Sequence, residues 1–126
     1  METTIRDDVY AEATRLDIHE LVRILNGSVG ATIVQTIAGV QDRTMPSRWA
    51  KPEGPEPRAE AQKRLRLGYR VWRTIERSEG RNVALAWLVG ANPRLGEEMP
   101  LAYVCDLRTK EVMGAAEAFV NDVYAA

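Results

Sequence analysis

The sequence predicts an all-α fold. Apolar residues recur at helical spacing along most of the chain. Alternating β-branched and polar stretches of useful length do not occur. Glycines and prolines punctuate the periodic segments. With 126 residues, 45% of them hydrophobic and 28% charged, the composition is that of an ordinary globular chain. Its size suits one domain, or two very small ones sharing a core.

The elements follow in order. A first helix is expected from about Thr4 to Leu16, with Ile5, Val9, Ala13 and Leu16 on one stripe and capping-type spacing between Thr4 and Asp7. Asp17-Ile18-His19-Glu20 has the same spacing and opens a second helix that buries Ile18, Leu21, Ile24 and Leu25. Asn26-Gly27 is expected to end it, because both residues tolerate the left-handed conformation. A third helix starts at Ser28 or Gly30, turns Ala31, Val34 and Ile37 inward, and stops at Gly39. A short segment runs from Asp42 to Lys51. Pro52, Pro55 and Pro57 then make a stiff connector that cannot be helical.

One long helix is expected from Arg58 to about Ser78, with Leu65, Leu67, Tyr69, Trp72 and Ile75 as its apolar surface and Gly80 as its end. A short helix spans Asn82 to Val89. Gly90-Ala91-Asn92-Pro93 is a turn, and Leu95-Gly96 and Pro100 frame an irregular stretch. A last helix, capped by Asp106 or Thr109, turns Val112, Met113, Ala116, Phe119 and Val120 inward. The chain thus divides into N-terminal helices and connector, residues 1–57, and a long helix with a C-terminal helical part, residues 58–126. The long helix is expected to pack against both sides.

The net charge of −1 conceals an uneven distribution. Residues 42–73 carry nine bases, Arg43, Arg48, Lys51, Arg58, Lys63, Arg64, Arg66, Arg70 and Arg73, against four acids. Residues 1–30 carry six acids and three bases, and residues 97–126 six acids and two bases. A basic middle between acidic ends suits a nucleic-acid contact in the middle; a solvated helix face is the plainer alternative. No apolar run reaches the length of a membrane span. The acidic N-terminal octet lacks the pattern of a signal peptide, and the lone Cys105 cannot form an internal disulfide. A cytoplasmic protein that does not enter the membrane is expected.

The inventory for catalysis is thin. There is one His, one Cys, and no Cys/His cluster at metal-ligand spacing. Nucleophile elbows, phosphate loops and dinucleotide fingerprints are missing. His19 near the start of a helix, and Cys105 in the apolar stretch Leu101 to Cys105, read as structural, Cys105 as a small buried hydrophobe. The expectation is a binding protein that is not an enzyme and needs no metal or cofactor.

Residues 31–49 have the punctuation of a helix-turn-helix. A short amphipathic helix ends at Gly39, and a second segment ends in Arg48-Trp49. Arg43, Thr44, Ser47, Arg48, Lys51 and Arg58 are its candidate DNA contacts, arginines meeting phosphates or guanine edges. Pro46 argues against base reading, since it restricts the second helix to about two turns starting at Met45 or Pro46.

In the C-terminal part, Trp87-Leu88 precede Asn92-Pro93, Leu95-Gly96, Pro100-Leu101 and a helix carrying Val112. This order resembles the toxin-binding domain of the Xre/MbcA/ParS antitoxins, the partners of RES-domain toxins. The upstream order, a helix-turn-helix ending in Arg-Trp and then a long helix with Leu65 and Tyr69, is similar as well, so the resemblance covers roughly residues 30 to 126. The spacing from Gly39 to Trp49 is one residue longer than in simple Xre-type units. The resemblance implies an Xre-like helix-turn-helix half joined through the long helix to a small toxin-binding half. It implies a RES-domain partner that destroys NAD, held inactive by the antitoxin, with operator DNA as a possible second partner. Trp87, Asn92, Pro93, Leu95, Gly96 and Pro100 would shape the toxin-binding part. The closing Val123-Tyr124-Ala125-Ala126 looks similar to an active-site plug, with Glu117 and Asp122 placed to meet basic residues of the toxin. The alternative function is a DNA-binding regulator without a toxin, and a bare helical adaptor is a third. A homodimer would suit symmetric half-sites.

Overall fold

Asp17 sets the register of the N-terminal helices. In the computed structural model, which describes the backbone of residues 2–125 and the side chains of residues 8–122, its carboxylate accepts from the His19 N–H at 3.1 Å and the Glu20 N–H at 3.3 Å. This separates α1 (Glu2–Arg15) from α2 (Ile18–Val29). The capping box is only half made, because Glu20 turns to Arg23 instead. The spacing between Thr4 and Asp7, and the inward place of Ile5, fall on side chains outside the described ones.

α2 does not end at Asn26-Gly27. It continues to Val29 and breaks at Gly30, whose φ is +94°. The reason is tertiary. The Asn26 amide donates to the Pro46 carbonyl at 2.9 Å, which keeps that turn packed rather than frayed. α3 (Ala31–Ala38) follows and buries Val34, Ile37 and Ala38, while Ala31 faces solvent. Gly39, at φ +73°, closes it: the Gly39 N–H reaches the Thr36 carbonyl and the Val40 N–H the Gln35 carbonyl. α4 (Met45–Trp49) is five residues long, shorter than two turns, with Pro46 tolerated in its first turn.

α5 (Ala59–Glu79) is the spine, 21 residues long. It packs against α1, α2, α3, α6, α7 and α8. Leu65, Val71 and Ile75 are completely buried along it. Gly68 lets α3 and α7 come close: a Cβ there would stand 3.0 Å from Ile37 Cδ1 and 3.5 Å from Val104 Cγ1. The core is one continuous cluster from Ala13 to Ala116 rather than two. α6 (Arg81–Val89), the 3-10 turn Pro93–Leu95, α7 (Pro100–Cys105) and α8 (Thr109–Ala125) complete the chain. The described residues hold eight α-helices and no strand.

α7 lies within a stretch that reads in sequence as irregular beyond Leu95. Pro100 opens it. Leu107, at φ +55°, ends it, with the Leu107 N–H donating to the Val104 carbonyl and the Arg108 N–H to the Tyr103 carbonyl. These are the two bonds of a Schellman cap, here without glycine. Cys105 is half-buried rather than buried, its thiol donating to the Thr36 carbonyl at 3.4 Å. No helix among the described residues is long and apolar enough to cross a membrane.

Candidate functional site

Two regions collect the residues singled out from the sequence. In the first, the structure sorts the nine bases of residues 42–73 by what they do. Arg64 donates to the carbonyls of Ile37 and Ala38 at 3.0 and 2.7 Å, capping α3. Arg66 does the same for α1, through Ala13 and Leu16. A cation near a helix C-terminus also meets the negative end of the helix dipole. Arg73 pairs with Glu12 at 3.1 Å and with Glu76. Lys63 pairs with Glu60, and Arg70 lies over the ring of Tyr10. Arg64, Arg66, Arg70 and Arg73 are tied into the fold, while the Lys63–Glu60 pair is exposed at the surface.

The other four, Arg43, Arg48, Lys51 and Arg58, are all exposed. None has a carboxylate within ion-pair distance among the described residues. Thr44 and Ser47 are exposed beside them. Asp42 holds the start of this segment by accepting from the Thr44 N–H at 2.9 Å and the Thr44 hydroxyl at 2.7 Å. Those two bonds, the hydroxyl's above all, keep the Asp42 carboxyl below its ordinary range. Behind α4, Trp49 is buried, and its carbonyl meets His19 Nδ1 at 2.8 Å. Bonding to a carbonyl requires the Nδ1–H tautomer. The proline connector folds back onto α4. Gly54 donates to the Lys51 carbonyl at 2.9 Å, and a Cβ on Gly54 would lie 2.1 Å from the Arg48 carbonyl oxygen. Lys51 is thereby held close to Arg48.

The second region is the turn between α6 and α7, built around Asn92. Its side chain, 9% exposed, accepts from the Arg94 N–H at 2.9 Å. Its carbonyl accepts from Leu95 and Glu97, and its N–H donates to the Glu98 carbonyl at 3.1 Å. One residue therefore anchors four hydrogen bonds. Leu95 and Pro100 are buried beneath the turn, and the Tyr103 hydroxyl donates to the Leu95 carbonyl. Pro93, Gly96, Glu97, Glu98 and Met99 face outward. Glu97 adopts φ +68°, a left-handed conformation that costs a non-glycine residue about 1 kcal/mol or more.

Trp87 is half-buried and packs on Phe119 of α8, ring centroids 6.2 Å apart. Asp122, exposed near the end of the described side chains, lies 4.0 Å from Arg94 of the 3-10 turn. Glu117 sits on α8 between the core and solvent. The side chains of Val123, Tyr124 and Ala125, and Ala126 altogether, lie outside the described residues. Asn92, Leu95 and Pro100 thus hold the turn from within. Glu97 and Glu98 are solvated charge, and sequence reasoning missed Met99. The signal for Met99 was its place directly before a helix-opening proline.

Among the described residues no group of three or more His, Cys, Asp or Glu side chains is gathered as for a metal. An open cleft of about 550 Å³ lies between α1 and α5, lined by Asp8, Glu12, Arg15, Leu16, Arg73 and Arg77. Apart from Glu12, Leu16 and Arg73, it contains none of the residues described in the two regions. Comparison with known protein families, curated proteins and solved structures finds no match to this chain.

Proposed function

We propose that this chain is a binding protein without catalysis of its own, an antitoxin of the Xre/MbcA/ParS kind that neutralises a RES-domain, NAD-degrading toxin. One observation carries the reading. Trp87, Asn92, Leu95 and Pro100, whose order in sequence carries the resemblance, belong to one local structure in which a single buried asparagine organises the turn. The same structure is tied to α8 through Trp87–Phe119 and Arg94–Asp122. Beyond those two contacts, α8 runs on toward the C-terminal residues Val123-Tyr124-Ala125-Ala126 of the sequence.

Inhibition then needs occupancy alone. The apolar closing residues enter the toxin cleft and exclude NAD, while Glu117 and Asp122 meet bases that otherwise bind its pyrophosphate. The α4 region supplies a second activity. Arg43, Arg48, Lys51 and Arg58, with Thr44 and Ser47, contact operator DNA so that the antitoxin represses its own operon in the cytoplasm. The missing acidic partners of those four bases also favour the second reading, a DNA-binding regulator with no toxin.

The deciding experiment mixes the purified full chain with a purified RES-domain protein encoded beside it and measures NAD loss. Stoichiometric inhibition, abolished by removing residues 122–126, is the expected result. No complex, together with salt-sensitive binding of upstream DNA, replaces the antitoxin by the regulator. Inhibition unchanged after alanine substitution of both Glu117 and Asp122 removes the role of the acids.

A further inference from the structure

We propose that His19 and Asn26 of α2 are positioning residues for the α4 surface: together they clamp α4 so that its exposed bases are presented to DNA in a fixed arrangement. The inference rests on the reading of α4 as a DNA contact, and its test tells a failure of that reading from a failure of the clamp.

α4 cannot hold itself in place. It is five residues long, and so short a helix is unstable alone. Its N-cap, Thr44, makes no side-chain cap bond, because the hydroxyl donates to Asp42. It buries Pro46 and Trp49 and packs against α2 and α3.

α2 supplies what is missing. His19 Nδ1–H donates to the Trp49 carbonyl at 2.8 Å, and the Asn26 amide donates to the Pro46 carbonyl at 2.9 Å. His19 and Asn26 are about two turns apart and therefore stand on one face of α2. Their acceptors are about one turn apart on α4. Two bonds to the backbone of a single turn, from two points on one helix, set both its rotation and its depth. Apolar contact through Trp49 alone would let the turn slide. α4 so held turns Ser47 and Arg48 outward, with Arg43 and Lys51 exposed just before and just after it.

The polar clamp is a costly way to pack two helices. Asn26 Oδ1 and Trp49 Nε1 are buried here with no hydrogen-bond partner among the described residues, and a buried polar atom left unpaired costs stability. A leucine at position 26 would remove one of these orphans, yet it would also remove a donor that fixes α4. Fixing α4 matters for a surface that meets several phosphates at once, because ordering the side chains on binding subtracts from affinity. Arg43, Arg48 and Lys51 have no carboxylate to order them. Their placement comes from the backbone that His19 and Asn26 hold.

The test uses the full chain and a random-sequence DNA duplex at low salt, with binding followed by fluorescence anisotropy well below the melting temperature. The wild type is expected to bind, with an affinity that falls steeply as salt rises. His19→Leu with Asn26→Leu should weaken binding about ten-fold or more. It should also make the salt dependence shallower by about one to two phosphate contacts. His19→Asn alone keeps a donor near the place of Nδ1 and should stay within about two-fold of the wild type. In the leucine variant the Arg48 and Ala50 amides, which bond to the Thr44 and Pro46 carbonyls, should exchange hydrogen faster, while those of α5 keep their protection. Where the double variant lacks a native melt, Asn26→Leu alone takes its place, with the same changes at smaller size. A wild type that does not bind overturns the reading of α4 as a DNA contact, and the proposal with it. A wild type that binds, beside a natively melting leucine variant of equal affinity and salt dependence, overturns the clamp alone. So does a His19→Asn variant as weak as the leucine variant, and so do α4 amides whose exchange is unchanged.

Discussion

The guanidinium of Arg64 lies against Gly39: a Cβ on that glycine would sit 3.3 Å from Arg64 Nη2. The contact is made where α3 ends, by a side chain 25 residues further along, and it binds the short α3–α4 corner to the spine.

Gly39→Ala would therefore meet two penalties, a φ of +73° and the crowding of Arg64. A loss of about 1–2 kcal/mol is expected, read as a lower midpoint in urea denaturation. Arg64→Met keeps the stem but strands two carbonyls at the end of α3, and should cost about 1–3 kcal/mol. Because the two residues share one contact, the double variant should lose less than the sum of the singles. Strict additivity would show that Arg64 does not act at this corner.

Gly54→Ala tests how Lys51 is positioned. No side chain fits 2.1 Å from the Arg48 carbonyl, so the connector must move off α4. The expected cost is about 1–3 kcal/mol. If the α4 region binds DNA, affinity should fall as well, with a shallower dependence on salt. Unchanged stability would show that the connector does not need this close approach.

Glu97→Gly should stabilise the chain by about 0.5–1 kcal/mol, because it removes left-handed strain at φ +68°, a gain that the greater unfolded-state entropy of glycine offsets only in part. Asn92→Ala should do the reverse. It uncaps the Arg94 N–H and leaves a gap in a buried turn, at a cost of about 1–3 kcal/mol in thermal unfolding. A destabilised Glu97→Gly would mean that the Glu97 side chain itself supports the turn.

Tyr69 should titrate late. Burial, and its hydrogen bond to the Glu12 carboxylate, raise its pKa far above the ordinary 10.0. The folded state therefore favours the neutral phenol. The resulting stability is complete below pH 10 and is lost as pH rises above it, because the unfolded chain releases that proton first. Absorbance titration near the phenolate band should show one tyrosine ionising only as the protein unfolds, and Tyr69→Phe should flatten the alkaline decline.

Helix positions, the proline connector and most of the core were legible because they depend on local periodicity and punctuation. Val34, Ile37, Leu65, Ile75, Val112 and Ala116 were all placed inward correctly. Failures arose where a distant residue decides. Asn26-Gly27 has the chemistry of a helix end, yet Pro46, 20 residues on, holds that turn in place. The basic middle counts nine charges in sequence, but Arg64 and Arg66 spend theirs on carbonyls of α3 and α1, a use that only tertiary structure determines. At the Asn92 turn Asn92, Pro93, Leu95, Gly96 and Pro100 were recognisable, while Met99 was not, since exposure of an apolar side chain has no local signature.

The shared spine has a consequence for how such a chain can be dismantled. Val34 and Ile37 from the first half and Val104 and Val112 from the second complete a single core around α5. A processive protease that seizes either terminus and extracts one end helix exposes apolar surface of the other half in the same act. The chain should disappear from a digestion time course without a lasting half-length fragment, so that every contact it makes is surrendered together.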